Sequence, residues 1–249
     1  LNYIDFLVDK APQYQYSYQV YAQIISRWLE REHNIRGKGP GFSENLYNFS
    51  RFFALDLYHH TEHLSIADLT ALQKLSDQCQ VGLDLFDMQA HSLLTRGAHN
   101  NYKFSHKSIL EYFLALELFE NPGFAKTFKG FEGMDMLRKF YQEMVLDKIA
   151  KPFFCEKFGL ESGKQYSAEE VMRIKGCLGC GSMFLPIGSY EKAFFFNFSL
   201  DKLKDVTQID LSNTDLQDFR IVACMPKLQQ LNVANNPALC SFDYLFVGG

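Results

Sequence analysis

The chain has 249 residues, 47% of them apolar, and carries 25 Lys and Arg against 29 Asp and Glu, a net charge of −4. That length suits two modest domains or one large one; the apolar fraction excludes wholesale disorder, and the acidic balance excludes a surface that holds nucleic acid by charge alone. No apolar run approaches the roughly 20 residues that span a bilayer, no basic-then-apolar signal segment opens the chain, and six irregularly spaced Cys read as reduced thiols of a cytoplasmic protein.

The text starts at Leu1, inside an apolar and aromatic segment broken by Pro12, and stops at Gly249 just after a repeat-like pattern. Both ends lead us to expect a piece of a longer polypeptide. From Ser17 the pattern is helical: Tyr21, Ile24, Ile25, Trp28 and Leu29 share one face, and Arg27, Glu30, Arg31 and Glu32 the other. Gly37-Lys38-Gly39-Pro40-Gly41 stops this helix. A second helix is predicted over 43–60, with Leu46, Phe49, Phe53 and Leu57 inward. Ser65 with Asp68 three residues on is a capping-box variant that opens a third, carrying Ile66, Leu69, Leu72 and Leu75. A further segment covers 83–91. Residues 92–96 and 102–104 are strand candidates around a turn at 97–101. Ser105 is expected to cap a strong helix with Ile109, Leu110, Phe113, Leu114 and Leu118 as its buried stripe. Three helices, a small hairpin and another helix read as a winged-helix unit, since none of these short pieces is stable alone.

Asn121-Pro122-Gly123 is read as a break, and 124–192 as helices with loops. One helix candidate covers 134–149; Ser167-Ala168-Glu169-Glu170 caps another around Val171, Met172 and Ile174; residues 176–188 are loop-like. Near the C-terminus, Val206-x-x-Ile209-x-Leu211-x-x-Thr214-x-Leu216 is followed 22 residues later by Leu228-x-x-Leu231-x-Val233-x-x-Asn236, a period of leucine-rich repeats. In such a coil Ile209 and Leu211 point inward from a short strand, and the Asn position hydrogen-bonds backbone inside the turn. Phe198 and Leu203 hint at an earlier, degenerate unit. The expected fold is therefore mainly α with a short β-hairpin wing and a C-terminal α/β leucine-rich-repeat segment, divided at 1–120, 121–195 and 196–249.

Chemistry is sparse. No Gly-x-x-x-x-Gly-Lys-Ser/Thr phosphate loop occurs, so this chain by itself is not expected to hydrolyse a nucleotide. Cys177-x-x-Cys180, with Cys155 upstream, lacks the second pair that zinc needs, and ordinary thiols are the better reading. His59, His60 and His63 share a helix face but lack further ligands, which suits a solvated helix end. The candidate recognition helix of a DNA-binding winged helix carries Asp68 and Asp77 against a single Lys74, a poor surface for phosphates.

The most informative stretch is Tyr102-Lys103-Phe104-Ser105-His106-Lys107-Ser108-Ile109-Leu110-Glu111-Tyr112-Phe113-Leu114-Ala115. It resembles the winged-helix signature of NACHT-type signal-transduction NTPases, in which an aromatic-x-Phe-x-His run leads into a helix with Glu-Tyr/Phe-x-Ala. Residues 21–32 also look like the helix that follows the nucleotide-binding core of that family, and the order of elements agrees. The resemblance covers most of 15–120 and the terminal repeats. It implies that His106 contacts the phosphates of bound ADP and holds an inactive state. It also implies that ATP or ADP with magnesium belongs to a core upstream of Leu1, that the repeats bind a protein or other ligand, and that activation brings oligomerisation. Members of such families act in host defence, including defence against phage. Two rival readings are a stand-alone leucine-rich-repeat interaction module and a winged-helix DNA binder.

Overall fold

The computed structural model describes residues 14–36, 38–60, 69–80, 83, 84, 87, 93–96, 101–158 and 200–239. Among the described residues the chain is mainly helical, with a small antiparallel two-stranded sheet and one parallel strand pair. It forms two compact units, one of residues up to 120 with 131–140, the other of 121–130 with 141 onward.

The first unit contains α1 (Ser17–Arg36), α2 (Phe42–His60), α3 (Leu69–Cys79), β1 (Leu94–Arg96), β2 (Tyr102–Phe104) and α4 (Lys107–Glu120). Helix α2 packs on α1, α3 and α4, and its Leu46, Phe49, Phe53 and Leu57 are wholly buried, as the i, i+3, i+7, i+11 spacing requires. Each such side chain contributes about 1.5–3 kcal/mol relative to exposure. On α1, Ile25 and Trp28 are buried while Tyr21, Ile24 and Leu29 are half-buried. Glu32 does not belong to the charged face expected for it. It is buried, because it continues the Ile25–Trp28 row one turn on, and Arg31 neutralises it at 2.7 Å. Leu72 and Leu75 of α3 are buried. Ser65, Ile66 and Asp68, with most of 83–91 and of the turn 97–101, lie outside the described residues.

Strand β1 pairs antiparallel with β2, Leu94 opposite Phe104 and Arg96 opposite Tyr102. Tyr102 and Phe104 are buried and Lys103 is exposed, the period-two alternation of a half-buried strand. The Phe104 ring lies 5.2 Å from Phe53 and 5.8 Å from Phe113, so the hairpin is anchored on α2 and α4. From Leu110 to Leu118 every residue of α4 is buried, which makes it the central helix of the unit rather than an amphipathic edge. Ile109, expected in the buried stripe, is half-buried, while Ser108 beside it is buried.

The expected break falls at Asn121, which is extended after α4 ends at Glu120, and Pro122-Gly123 then starts a new helix of the second unit. Asn121 caps α5 (Pro122–Thr127) by accepting the Phe124 N–H at 3.1 Å, and Pro122 occupies the first helical position, where its missing N–H costs nothing. The helix expected over 134–149 is α6 (Asp135–Val145), whose residues up to Phe140 belong to the first unit. It continues through a π turn (Leu146–Ala150) into α7 (Lys151–Phe158). The wide turn, closed by the Lys151 N–H on the Leu146 carbonyl, precedes Pro152, whose ring clashes with the carbonyl four residues back in a regular helix. Residues 159–199, with the expected cap at 167–170 and the loop at 176–188, lie outside the described residues. A 3₁₀ turn (Leu200–Asp205), β3 (Gln208–Asp210), a second 3₁₀ turn (Phe219–Cys224) and β4 (Gln230–Asn232) follow. β3 and β4 pair in parallel, Ile209 opposite Leu231, so the two segments are stacked at the 22-residue offset visible in the sequence.

Candidate functional site

His106 sits where the hairpin hands over to α4. The Ser105 N–H donates to the Leu93 carbonyl at 2.8 Å and ends the hairpin. The cap position is His106, the residue before the helix starts at Lys107, and not Ser105 as expected. The His106 carbonyl accepts the Ile109 N–H at 3.1 Å, and its Nδ1 accepts the Ser108 N–H at 3.3 Å. The Ser108 hydroxyl also meets Nδ1, and Tyr21 Oη from α1 donates to Ser108 Oγ at 2.7 Å. A backbone N–H can only donate, so the hydrogen-bond pattern assigns Nδ1 as the acceptor and leaves Nε2 as the nitrogen that carries the proton. Ser108 is buried, Tyr21 half-buried and His106 exposed. The ring thus offers one N–H donor from a fixed base at the positive end of a helix, an arrangement that can bind an oxyanion. Beside it, Lys107 pairs with buried Glu111 at 3.3 Å and donates to the Gly133 carbonyl.

At the opposite end of α4, Arg51 of α2 reaches two carboxylates, donating through Nε to buried Glu117 and pairing with Glu120 at 3.0 Å. Tyr47 and Tyr112 hydrogen-bond each other in the same region, and burial raises both phenols, Tyr112 well beyond its usual range. Neither the Tyr21–Ser108 bond nor the Arg51 pairs are legible in the sequence, since their partners lie 87 and 66 residues apart.

The repeat segment is built around Asn236. Its Oδ1 accepts the N–H groups of Thr214 at 3.1 Å and Leu216 at 2.8 Å; its Nδ2 donates to the carbonyls of Leu211 and Val233, both at 2.8 Å. Ile209, Leu211 and Leu216 are buried beneath. Other side chains 22 residues apart also meet: Asn232 with Asp210 at 3.0 Å, Asn235 with Asn213 at 3.0 Å, and Lys227 with Asp205 at 2.6 Å. Asn213 and Asn235 share the left-handed conformation, with φ of 57° and 58°, at matching points of the two turns.

His59 lies on the exposed side of α2, stacked edge-on against Tyr58, while His63, Cys177 and Cys180 lie outside the described residues. Among the described residues no group of three His, Cys, Asp or Glu is placed to hold a metal. Cys224 donates to the Gln142 carbonyl, and burial pushes its thiol up to about 12. At pH 8 only about one thiol in ten thousand is then the reactive thiolate. Mass mapping after alkylation at pH 8 is expected to find Cys155, which is half-exposed, modified and Cys224 untouched until denaturant is added. Modification of Cys224 at the rate of Cys155 in the folded chain would contradict this.

The exposed side of α3 carries Lys74 and Asp77, with no basic row. Among the described residues no helix is long and apolar enough to cross a membrane. No protein-family model, curated protein or solved structure matches the chain.

Proposed function

We propose that this chain is the control and sensor-proximal part of a NACHT-like signalling NTPase of the cytoplasm. The observation that carries the reading is His106: within a Phe-x-His motif, it is an exposed residue that caps a buried helix with Nδ1 engaged. A winged helix formed by α2 to α4 and the β1–β2 hairpin would use the Nε2–H of His106 to hold the phosphates of ADP, bound with magnesium in a core encoded upstream. The parallel strands and Asn236 suit leucine-rich repeats, which would bind a protein or other ligand. Partner binding would release the ADP lock and permit oligomerisation. To move such a switch from one part in a hundred active to ninety-nine, the partner must favour the open form by about 5.5 kcal/mol. A role in defence, including against phage, follows by analogy with the family that the motif resembles.

The test uses the protein encoded by the complete gene. Its upstream sequence is expected to contain a phosphate loop and an acidic metal-binding motif. His106→Ala is expected to reduce co-purified ADP several-fold and raise basal activity. Unchanged ADP and unchanged basal activity would remove the sensing role. An upstream region without a nucleotide core would leave a repeat-based interaction module.

A further inference from the structure

Tyr21 and Ser108 form a relay that ends on the ring of His106. Tyr21 Oη donates to Ser108 Oγ at 2.7 Å. A serine hydroxyl has one proton, and with its oxygen accepting from Tyr21 that proton is directed to His106 Nδ1. The Ser108 N–H adds a second donor to the same nitrogen at 3.3 Å. The Tyr21 ring is itself held, 4.8 Å from Phe140 and 6.2 Å from Tyr112. Ser108 is 5% exposed, so water does not readily replace either bond.

We infer that Tyr21 and Ser108 are positioning residues that hold the His106 ring in one orientation and one tautomer, with the proton on Nε2, so that it meets a phosphate oxygen as a donor. The opposite tautomer presents a lone pair there and repels an oxyanion. The inference rests on the nucleotide-sensing reading of His106 for its purpose, but the positioning itself is measurable without nucleotide. Orientation of a functional histidine by a hydrogen bond to its other nitrogen is a general device.

The experiment records long-range proton–nitrogen spectra of His106 in the 249-residue chain and measures ADP retained by the protein of the complete gene. Wild type is expected to show a single tautomer with Nδ1 unprotonated and hydrogen-bonded. Tyr21→Phe keeps the ring packing and Ser108→Ala keeps the helix; both are expected to move the Nδ1 signal toward an unbonded acceptor with tautomer averaging. Both are also expected to lower ADP retention about three- to tenfold, the worth of one neutral hydrogen bond. Ser108→Thr retains the hydroxyl and is expected to restore both readouts. Unchanged nitrogen signals in Tyr21→Phe and Ser108→Ala would overturn the inference. So would wild-type ADP retention in both variants when His106→Ala loses it. If the signals move as expected and His106→Ala retains ADP, the positioning stands and the nucleotide-sensing reading falls.

Discussion

Asn236→Ala is expected to cost about 3–5 kcal/mol, an effect reached by few single substitutions. The side chain bonds four backbone groups across two turns: the N–H groups of Thr214 and Leu216, and the carbonyls of Leu211 and Val233. These lie in a region where Asn236 is only 9% exposed. Alanine leaves four polar groups without that partner, each worth about 1–3 kcal/mol when unmet, and water entering the space returns part of the loss. Thr214 occupies the same position one repeat earlier, but its hydroxyl has a single proton, shared between the Leu211 carbonyl at 2.7 Å and Asn236 Oδ1 at 3.4 Å. Thr214→Ala is therefore expected to cost about 1 kcal/mol. Urea unfolding of the two variants, with hydrogen exchange at the Leu216 amide, measures the contrast. Equal costs, or unchanged protection of Leu216 in Asn236→Ala, would show that the asparagine does not organise the turn.

Where the chain follows a single rule the elements were readable. Leu46, Phe49, Phe53 and Leu57 mark the inward side of α2 because 3.6-residue periodicity and burial act together. The 22-residue offset of the sequence recurs in the pairing of β3 with β4, where Gln208 lies opposite Gln230. Where two local rules compete, tertiary context chose. Ser105 is the better cap by propensity, yet the hairpin ladder still includes its N–H, bonded to Leu93, and the helix begins one residue later with His106 as the cap. Pro122, read only as part of a break, is also the first residue of a new helix that Asn121 caps. Glu32 looked solvated because its charge outweighed its place in the Ile25–Trp28 row. The motif singles out His106 as a candidate. Its supports were not legible, since Tyr21 and Ser108 become neighbours only when α1 packs on α4.

The same packing yields the second large effect, at Arg51. Its guanidinium spans Glu117 and Glu120, one carboxylate buried and the other 41% exposed. Two donors of one planar group serve two acidic residues three apart on α4, a geometry that the point charge of lysine cannot reproduce. Arg51→Met withdraws the positive charge from buried Glu117 and is expected to cost about 2–4 kcal/mol at pH 7; the exposure of Glu120 keeps the figure below that of a fully buried triad. Arg51→Lys should cost about half as much, since charge remains and the fork does not. Arg51→Met combined with Glu117→Leu should recover most of the loss, because the desolvated carboxylate is then gone and an apolar side chain faces an apolar surface. A thermodynamic cycle over these variants gives the coupling between α2 and α4 directly. Loss below about 0.5 kcal/mol in Arg51→Met, or a double variant as unstable as the single one, would mean that aromatic packing alone seats α4. If the coupling has the expected size, the helix that begins at His106 is fixed at its far end by charge and along its length by burial. The orientation of the His106 ring is then set by a rigid element rather than by a loop.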